Sequence, residues 1–444
     1  MTIQEIADAI GCAGAYTGEV TEISTDTRTL PTGCLFIALV GERFNGHDYL
    51  AQALQKGAAW AIAQERRDYG SDHVLYVEDT ERALMAIGRH YRYKFPIRCV
   101  GITGSVGKTT TKDMIAQVVS AGFCTLKTEG NLNNEIGLPK TLLQLTPAHE
   151  AAVIEMGMEG LGEIAALAAV CQPQIGVITN IGVSHIERLG SRENILKAKL
   201  ELADALPDGA PLLLCGDNDL LRTVNIPRLR VRFYGLENPQ CSIRAQEIQQ
   251  DAQQTNFILC MGEERVPVTL PCIGRHNVQN ALVACAVGQE LGIPLAVCAR
   301  ALEGYQPSGM RQRVVQRSGY TVVEDCYNAA PDSMRAALTT LADYPCTGKR
   351  IAVLADMLEL GPVSHEAHIE IGRFAATHQV DLLLAYGEQA RFYVEGANQL
   401  RPIARWFAHK QELLAELQQL VAAGDVVWVK GSRGMRLEEI LQGL

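Results

Sequence analysis

Short apolar runs alternate with segments of helical periodicity along most of the 444-residue chain. Between residues 97 and 217 the apolar runs are continuous, and the segments between them repeat their apolar residues every three or four positions. A continuous apolar run indicates a strand that is buried on both faces, as in a parallel sheet covered by helices. The predicted strands of this central sheet are residues 99–103, 151–156, 175–181 and 211–217.

The pattern changes on both sides of this central region. Residues 1–95 predict a small α/β unit, and Pro96 ends its last helix because a residue before proline disfavours helical dihedrals. Residues 228–270 alternate apolar and polar positions, which predicts an antiparallel flank. After a linker at 304–309 the alternation of strand and helix restarts and predicts a Rossmann-like α/β domain. We therefore predict an α/β protein with three domains, residues 1–95, 96–306 and 307–444.

Composition and charge exclude several classes of protein. The net charge of −10 lacks the basic surface that nucleic-acid binding requires, and no apolar run reaches the 18 residues that predict a membrane span. The thirteen cysteines are scattered without a CxxC pair, which is typical of thiols in a reducing compartment. The first residues show no signal peptide. We therefore expect a cytoplasmic protein, and a monomer, without nucleic-acid or membrane partners.

Residues 99–112, CVGITGSVGKTTTK, combine a buried strand, a glycine turn and the start of a helix. Such a turn can cradle phosphates, with Lys108 on the terminal phosphates and the Thr109 hydroxyl on Mg²⁺. The match to the common GxxxxGK[ST] motif is imperfect because Ile102 occupies the first glycine position. A glycine-rich turn of an ordinary doubly wound fold is the alternative. The predicted phosphate-binding residues are Gly104, Ser105, Val106, Gly107, Lys108, Thr109 and Thr110.

Polar residues follow the predicted strands at the edge where ligands bind in open α/β sheets. Glu155 ends one strand, and His185 follows the next. A carboxylate there can ligate Mg²⁺ or simply cap the next helix, and His185 can equally be an ordinary loop histidine. Residues 130–139, GNLNNEIGLP, include Asn133 and Asn134. Their amides can contact phosphate or form a turn cluster.

These segments occur in one order with several others, and together they resemble the Mur ligases. The further segments are EMGM with GEI at 155–164, ITNIGVSHIERLGS with KAKLE at 178–201, GRHNVQNALVA at 274–284, DCYNAAPDSM at 325–334, ADMLELG at 355–361 and VKGSRGMRLE at 429–438. The loop form G-[ST]-x-GK-[ST] of that family is satisfied by residues 104–109, which explains the misplaced glycine.

The resemblance implies roles for residues of the nucleotide site. It implies that Thr109 and Glu155 hold one Mg²⁺, that His185 holds a second, and that Lys199 carries a carbamate that supplies another metal ligand. Lys199 could otherwise be a surface helical lysine, and Lys197 lies two positions away. The residues implied to contact ATP besides the loop are Asn277, Asn280, Arg311 and Asp325. The residues implied to act on the transferring phosphoryl group are Lys108, Asn133 and Asn134.

The resemblance also implies substrate sites in the first and third domains. The residues implied to bind the UDP group are Ser24, Asp26, Thr27, Arg28, Asn45, Gly46 and His47. Those expected on the dipeptide side are Tyr327, Asn328 and Asp356. The chain departs from the family at Asn45, Cys326 and Ala330, where Asp, Ser or Ala, and Asn are usual. These departures affect the expected specificity more than the expected reaction.

The implied activity is that of an ATP-dependent, ADP-forming amide ligase. It would join D-alanyl-D-alanine to UDP-N-acetylmuramoyl-tripeptide through an acyl phosphate, for peptidoglycan synthesis in the cell wall. The alternative is a sister ligase that adds a single amino acid, although the DNPR segment of diaminopimelate-adding relatives is absent. A folylpolyglutamate synthase fits residues 24–28 and 41–47 less well. A GTPase switch would need an NKxD motif, which the chain lacks.

Overall fold

The computed structural model describes all residues, Met1–Leu444, as nineteen strands and fifteen α-helices. The strands are β1 (Ile23–Ser24), β2 (Leu35–Ile37), β3 (Trp60–Ala63), β4 (Val74–Tyr76), β5 (Arg98–Thr103), β6 (Thr125–Lys127), β7 (Ala151–Glu155), β8 (Ile175–Ile178), β9 (Pro211–Cys215), β10 (Arg230–Gly235), β11 (Ile243–Gln250), β12 (Thr255–Met261), β13 (Glu264–Leu270), β14 (Arg313–Gln316), β15 (Thr321–Asp325), β16 (Arg350–Ala355), β17 (Leu382–Tyr386), β18 (Ala404–Phe407) and β19 (Val426–Lys430).

The helices lie between these strands. They are α1 (Ile3–Ala9), α2 (Leu50–Gln55), α3 (Thr80–Tyr93), α4 (Lys108–Val119), α5 (Gly137–Leu142), α6 (Glu163–Cys171), α7 (Ile186–Leu189), α8 (Arg192–Asp204), α9 (Arg275–Glu290), α10 (Leu295–Leu302), α11 (Pro331–Asp343), α12 (Ser364–Thr377), α13 (Arg391–Asn398), α14 (Lys410–Leu420) and α15 (Glu438–Gly443). None of them combines the length and the apolar character that crossing a membrane requires.

Residue contacts divide the chain into two compact units. The first comprises Met1–Gly101, Cys124–Gly157 and Glu163–Pro173, and the second comprises Ile102–Phe123, Met158–Gly162 and Gln174–Leu444. The predicted limits at residues 95 and 306 stay predictions.

The first unit contains a four-stranded parallel sheet in the order β1-β2-β3-β4. Its core buries Ile6 of α1 and Ile87 of α3 together with Ile37 of β2. Helix α3 begins where the side chain of Asp79 accepts a hydrogen bond from the backbone N–H of Glu81 at 2.8 Å. In the same unit β6 pairs in parallel with β7, whose other neighbour is β5.

The second unit contains strands of the central sheet in the order β8-β9-β10-β11-β12-β13 and a six-stranded sheet in the order β14-β15-β19-β16-β17-β18. The strands of the second sheet are parallel except β14, which pairs antiparallel with β15. Helices cover both faces of that sheet, and their apolar residues form two separate clusters with the strands. The predicted α/β class and the Rossmann-like C-terminal region are confirmed.

The structure corrects the predicted antiparallel flank and adds elements. Strands β11, β12 and β13 are antiparallel as predicted, but β10 and β11 pair in parallel with each other, and β10 is also parallel to β9. The elements that the pattern did not predict include β6, β10, β14, α7, α10 and α13. Most are short, and the periodicity of four to eight residues does not define an element on its own.

Candidate active site

The predicted phosphate loop connects β5 to α4 as a turn with two constrained glycines. Gly107 precedes the helix with a left-handed φ of 81°. Gly104 has φ 154°, and a Cβ atom there would lie 1.9 Å from Oγ1 of Thr179. Both positions therefore require glycine. Strand, glycine turn and helix N-terminus follow one another as the motif predicts, so the backbone has the arrangement of an anion-binding loop.

Residues after β8 hold this loop in place. The side chain of Asn180 accepts a hydrogen bond from the backbone N–H of Val106 at 2.8 Å, and its carbonyl accepts one from Ser105 at 3.1 Å. The Thr179 hydroxyl donates to the carbonyl of Val106 at 2.6 Å. The position of Asn180 at a strand end marks it as a candidate site residue, but sequence reasoning missed Thr179 and missed that both residues hold the loop.

Lys108, His185 and Lys199 lie close enough to interact electrostatically. The Lys108 ammonium donates to the carbonyl of Gly104 at 2.8 Å. Burial, with the charge of Lys108 next, lowers the pKa of His185 to about 4. The same causes lower the pKa of Lys199 well below its ordinary value, because this α8 lysine is only 2% exposed. At neutral pH the imidazole is therefore neutral, and the amine is shifted towards its neutral form.

Arg311 lies beside the start of α4. Its Nη2 donates to Oγ1 of Thr109 at 3.2 Å, and its guanidinium lies 3.7 Å above the centroid of the Tyr327 ring. Ser308 donates to the carboxylate of Asp113 at 2.6 Å, so the segment before β14 is attached to α4 at two points. The structure thus brings Arg311 and Tyr327 together with the phosphate loop.

Asn277 and Asn280 are buried on α9 and bonded to protein groups. The amide nitrogen of Asn277 donates to the side chain of Gln312 and to the carbonyl of Ile273, both at 2.7 Å. The side-chain oxygen of Asn280 accepts a hydrogen bond from the hydroxyl of Thr111 at 3.0 Å. These bonds attach α9 to α4 and to the segment before β14. The predicted contact of both asparagines with ATP stays a prediction.

Glu155 is a buried carboxylate at the end of β7 with one unsatisfied oxygen. Its Oε1 accepts a hydrogen bond from the amide of Asn133 at 2.8 Å, whereas Oε2 has no hydrogen-bond partner. Such an atom is rare in folded proteins and a bound cation would satisfy it. The side-chain oxygen of Asn134 accepts from the backbone N–H of Gly137 at 2.9 Å, so that part of Asn134 is used in the turn before α5.

The predicted residues of the C-terminal region lie at the carboxyl ends of neighbouring strands. Asp325 pairs with Lys430 at 2.9 Å, and Lys430 also donates to the carbonyl of Asn328 at 3.0 Å. Asp356 accepts a hydrogen bond from the backbone N–H of Ala390 at 2.7 Å, and burial raises its pKa. Asp356 therefore supports the loop before α13.

Cys326 and Ala330, which differ from the usual residues of the family, lie in different environments. Cys326 is buried in the cluster of β15 and β19, its thiol lies 3.6 Å from the sulfur of Met310, and burial raises its pKa to about 11. Ala330 precedes α11, and the hydroxyl of Ser333 accepts a hydrogen bond from its backbone N–H at 3.0 Å. The hydroxyl of Ser333 thus satisfies a backbone N–H at the start of α11.

The two predicted UDP loops of the first unit differ in how exposed their polar groups are. Arg28 is largely exposed, and its hydrogen bonds to the carboxylate of Asp26 lower the pKa of Asp26 to about 2. The Ser24 hydroxyl accepts a hydrogen bond from the backbone N–H of Asp26 at 3.2 Å, and the carbonyl of Thr27 accepts one from Lys56 at 3.1 Å. This loop offers an exposed guanidinium to an anionic ligand.

In the second loop Asn45 and His47 bond mainly to each other and to neighbouring residues. Nδ1 of His47 contacts Oδ1 of Asn45 at 2.7 Å, and Nε2 accepts a hydrogen bond from the backbone N–H of Gln64 at 2.9 Å. Asn45 also donates to the carboxylate of Glu65 at 2.7 Å. Burial lowers the pKa of His47, so a neutral ring with the proton on Nδ1 satisfies both bonds. Asn45 suits this place because an aspartate cannot donate to Glu65.

Comparison with known proteins identifies the family. Residues 19–91, 102–288 and 310–433 match the family models described as the Mur ligase family catalytic domain, the Mur ligase middle domain and the Mur ligase glutamate ligase domain. The UDP-N-acetylmuramoyl-tripeptide–D-alanyl-D-alanine ligase of Bacillus subtilis (strain 168) is 38% identical over 95% of this chain and 92% of its own. The chain belongs to the Mur ligase family.

Solved structures of other Mur ligases agree in fold. MurF from Acinetobacter baumannii has a TM-score of 0.92 and 31% identity, covering 99% of this chain and 98% of its own. MurF ligase from Thermotoga maritima, solved in complex with ADP, has a TM-score of 0.87 and 27% identity, covering 95% and 96%. This Mur ligase therefore has the three-domain architecture of the family, and each matched segment falls within one predicted domain.

The structure contains no group of three histidine, cysteine or carboxylate side chains that could hold a metal ion. The predicted metal ligands of this Mur ligase are not all histidine, cysteine or carboxylate side chains, since Thr109 offers a hydroxyl and Lys199 offers an amine. The residue that sequence reasoning missed near His185 is Glu359, whose Oε2 lies 3.3 Å from Nδ1 of His185. Its signal was a carboxylate shortly after the strand β16.

Gly46 gives a test of the second loop. A Cβ atom at this position would lie 2.6 Å from the carbonyl oxygen of Leu39, which is backbone and has little freedom to move. We expect Gly46→Ala to lower the free energy of unfolding by about 1–3 kcal/mol, measured by urea denaturation. Gly41→Ala is the control in the same loop, because its Cβ would meet only the exposed ring of Phe44. Equal losses in both variants would contradict this interpretation.

Proposed function

We propose that this Mur ligase joins D-alanyl-D-alanine to UDP-N-acetylmuramoyl-tripeptide while converting ATP to ADP and phosphate. The product would be the UDP-N-acetylmuramoyl-pentapeptide used for peptidoglycan synthesis. The observation that carries the proposal is the structure of the phosphate loop. Its Lys108 interacts with the neutral His185 and the buried Lys199. Arg311 donates a hydrogen bond to Thr109 of the same loop. The relative named UDP-N-acetylmuramoyl-tripeptide–D-alanyl-D-alanine ligase matches 95% of this chain, which supports the choice of substrates.

The reaction follows from what the site can stabilise. A terminal carboxylate oxygen of the tripeptide attacks the γ-phosphorus of ATP, and ADP leaves as the acyl phosphate forms. The amine of the dipeptide then attacks the acyl carbon, and phosphate leaves with the electron pair of the C–O bond. Lys108 neutralises the charge on the moving phosphoryl group, and the backbone N–H groups of residues 104–108 hold the phosphates. Asn133 and Asn134 would stabilise the same group.

We further propose that the site holds two Mg²⁺ ions, which when bound neutralise phosphate charge. The residues that would hold them are Thr109, Glu155, His185 and a carbamylated Lys199. The unsatisfied Oε2 of Glu155 fits a cation, and the neutral imidazole of His185 has a free lone pair. Carbamate formation needs a neutral amine, which the lowered pKa of Lys199 favours.

The remaining predicted residues support binding in this proposal. Asn277, Asn280, Arg311 and Asp325 would contact ATP, and residues 24–28 and 45–47 would hold the UDP group. Tyr327 and Asn328 would face the dipeptide, close to the acyl phosphate. Since none of the thirteen cysteines forms a disulfide, a cytoplasmic location is compatible with their chemistry.

Phosphate release tests the proposed function. We expect the enzyme to release phosphate from ATP only when UDP-N-acetylmuramoyl-tripeptide and D-alanyl-D-alanine are both present. Tripeptides with lysine and with meso-diaminopimelate at the third position should both be assayed. Release that is independent of the dipeptide, or that requires a single free amino acid instead, would favour a sister ligase and contradict the assignment.

A further inference from the structure

Gln312 has a backbone conformation that a residue with a side chain rarely adopts. Its φ is 52°, in the left-handed region that favours glycine. It lies between Arg311 and β14, the first strand of the six-stranded sheet. A left-handed residue other than glycine persists only where surrounding contacts hold it, and such residues cluster at functional sites. The contacts of Gln312 therefore indicate what this conformation achieves.

The side chain of Gln312 is bonded to the start of α9. Its Oε1 accepts a hydrogen bond from Nδ2 of Asn277 at 2.7 Å and lies 2.9 Å from Nε2 of His276. Burial lowers the pKa of His276, so its ring is neutral at neutral pH, and a proton on Nε2 makes this contact a second hydrogen bond. Both donors belong to the first turn of α9. One oxygen of Gln312 is thus held by two groups of the same helix turn.

The Asn277 amide is itself fixed in one orientation. Its Nδ2 also donates to the carbonyl of Ile273 at 2.7 Å, and its Oδ1 accepts a hydrogen bond from Nδ2 of Asn280 at 3.2 Å. Rotating the amide by half a turn would place its oxygen against two acceptors and its nitrogen against a donor. The bond to Gln312 is therefore anchored on a rigid group.

Arg311, the residue before Gln312, reaches the phosphate loop. Its contacts with Thr109 and with the Tyr327 ring are made by the guanidinium, at the far end of a long side chain. These contacts leave the backbone of Arg311 free to turn. Because the peptide bond between the two residues is planar, rotation about the N–Cα bond of Gln312 changes the direction of Arg311 relative to the Gln312 side chain. Fixing that side chain and its φ therefore fixes where Arg311 starts.

We propose that Gln312 is a positioning residue for nucleotide binding, whose two bonds to α9 hold the left-handed turn that presents the guanidinium of Arg311 to the phosphates of ATP. The inference rests on the proposed contact of Arg311 with ATP and adds the residue that places it. Without the two bonds the turn relaxes to a right-handed conformation, and the guanidinium moves away from Thr109. In this role Gln312 acts only through Arg311.

Binding of an ATP analogue with a methylene group between the β- and γ-phosphates tests this role. We expect Gln312→Ala to raise the dissociation constant by about 5- to 50-fold, as for the loss of two neutral hydrogen bonds. Gln312→Glu should lose less affinity, since a carboxylate oxygen accepts the same two bonds. Gln312→Asn should lose as much as Gln312→Ala, because asparagine tolerates the left-handed region but its shorter side chain does not reach α9. Equal losses in the alanine and glutamate variants would overturn the proposal.

Gln379→Ala is the matched control for the backbone conformation. Gln379 also has a left-handed φ, of 55°, but it is exposed and lies between α12 and β17. We expect this variant to bind the analogue as the wild type does. The same loss in Gln379→Ala and Gln312→Ala would show a general effect on the fold and contradict a role in positioning.

A double variant shows whether Gln312 acts through Arg311. We expect Arg311→Ala combined with Gln312→Ala to bind the analogue no more weakly than Arg311→Ala alone, because a residue that only places the guanidinium then has nothing to place. Losses that add would mean an independent role of Gln312, and the proposal would be wrong. Wild-type enzyme that does not bind the analogue would instead contradict the proposed function.

Discussion

Replacing Lys199 with alanine is expected to lower kcat by about 100- to 1,000-fold, the range for losing one stabilising group of a preorganised site. The physical reason is burial, which lowers the pKa of the amine and so favours the neutral form that the proposed carbamate requires. Alanine would remove the oxygen ligand that this carbamate supplies and leave a space. Acetate or another short carboxylic acid should then restore part of the activity, because it can supply the missing carboxylate.

Two measurements separate a carbamate from a structural lysine. Enzyme equilibrated with ¹³C-labelled carbon dioxide should give a carbamate signal in ¹³C NMR that the Lys199→Ala variant lacks. Lys197→Ala is the matched control, because Lys197 lies on the same helix but is exposed. Full activity of Lys199→Ala, or the same loss in Lys197→Ala, would exclude the carbamate.

Glu155→Gln is expected to lower kcat by a similar factor of about 100 without lowering the temperature of unfolding. The carboxylate is 2% exposed and its Oε2 lacks a partner, so removing its charge removes an unfavourable buried group from the fold. The glutamine oxygen can still accept the hydrogen bond from Asn133. The loss should appear as a higher Mg²⁺ requirement, measured in phosphate-release assays, with unfolding followed by calorimetry.

The control for this variant is at the other end of the same strand. Glu150 is exposed and accepts a hydrogen bond from the backbone N–H of Cys124 at 3.1 Å. We expect Glu150→Gln to keep wild-type turnover and Mg²⁺ dependence. If Glu155→Gln unfolds several degrees below the wild type, Glu155 is a structural residue and the loss of activity carries no information about metal binding.

Much of the fold could be predicted from local patterns. Continuous apolar runs predicted the central strands because a strand covered on both faces tolerates few polar residues. The pattern predicted no separate element at strand β10 or helix α13, for the opposite reason. The burial of β10 is incomplete, and α13 is only eight residues long, so neither has a periodicity that defines it. Their structure depends on neighbours that are distant along the chain.

The sequence by itself determined the chemistry that the site offers. A glycine turn before Lys108 and Thr109 is a local property, because φ values and a helix N-terminus are set by consecutive residues. The family resemblance added the reaction and the order of the segments. The same local argument could not tell whether Asn134 acts on phosphate or holds the turn before α5, where its oxygen is found.

Only the tertiary structure decided which side chains meet and which charges they carry. Local pattern alone does not distinguish Lys199 from an ordinary helical lysine, and its lowered pKa arises from burial that no local pattern reveals. Glu359 and His185 are separated by more than 170 positions, yet their side chains meet at 3.3 Å. Desolvation and charge act through space, so such contacts depend on packing between elements and not on the residues beside them in the sequence.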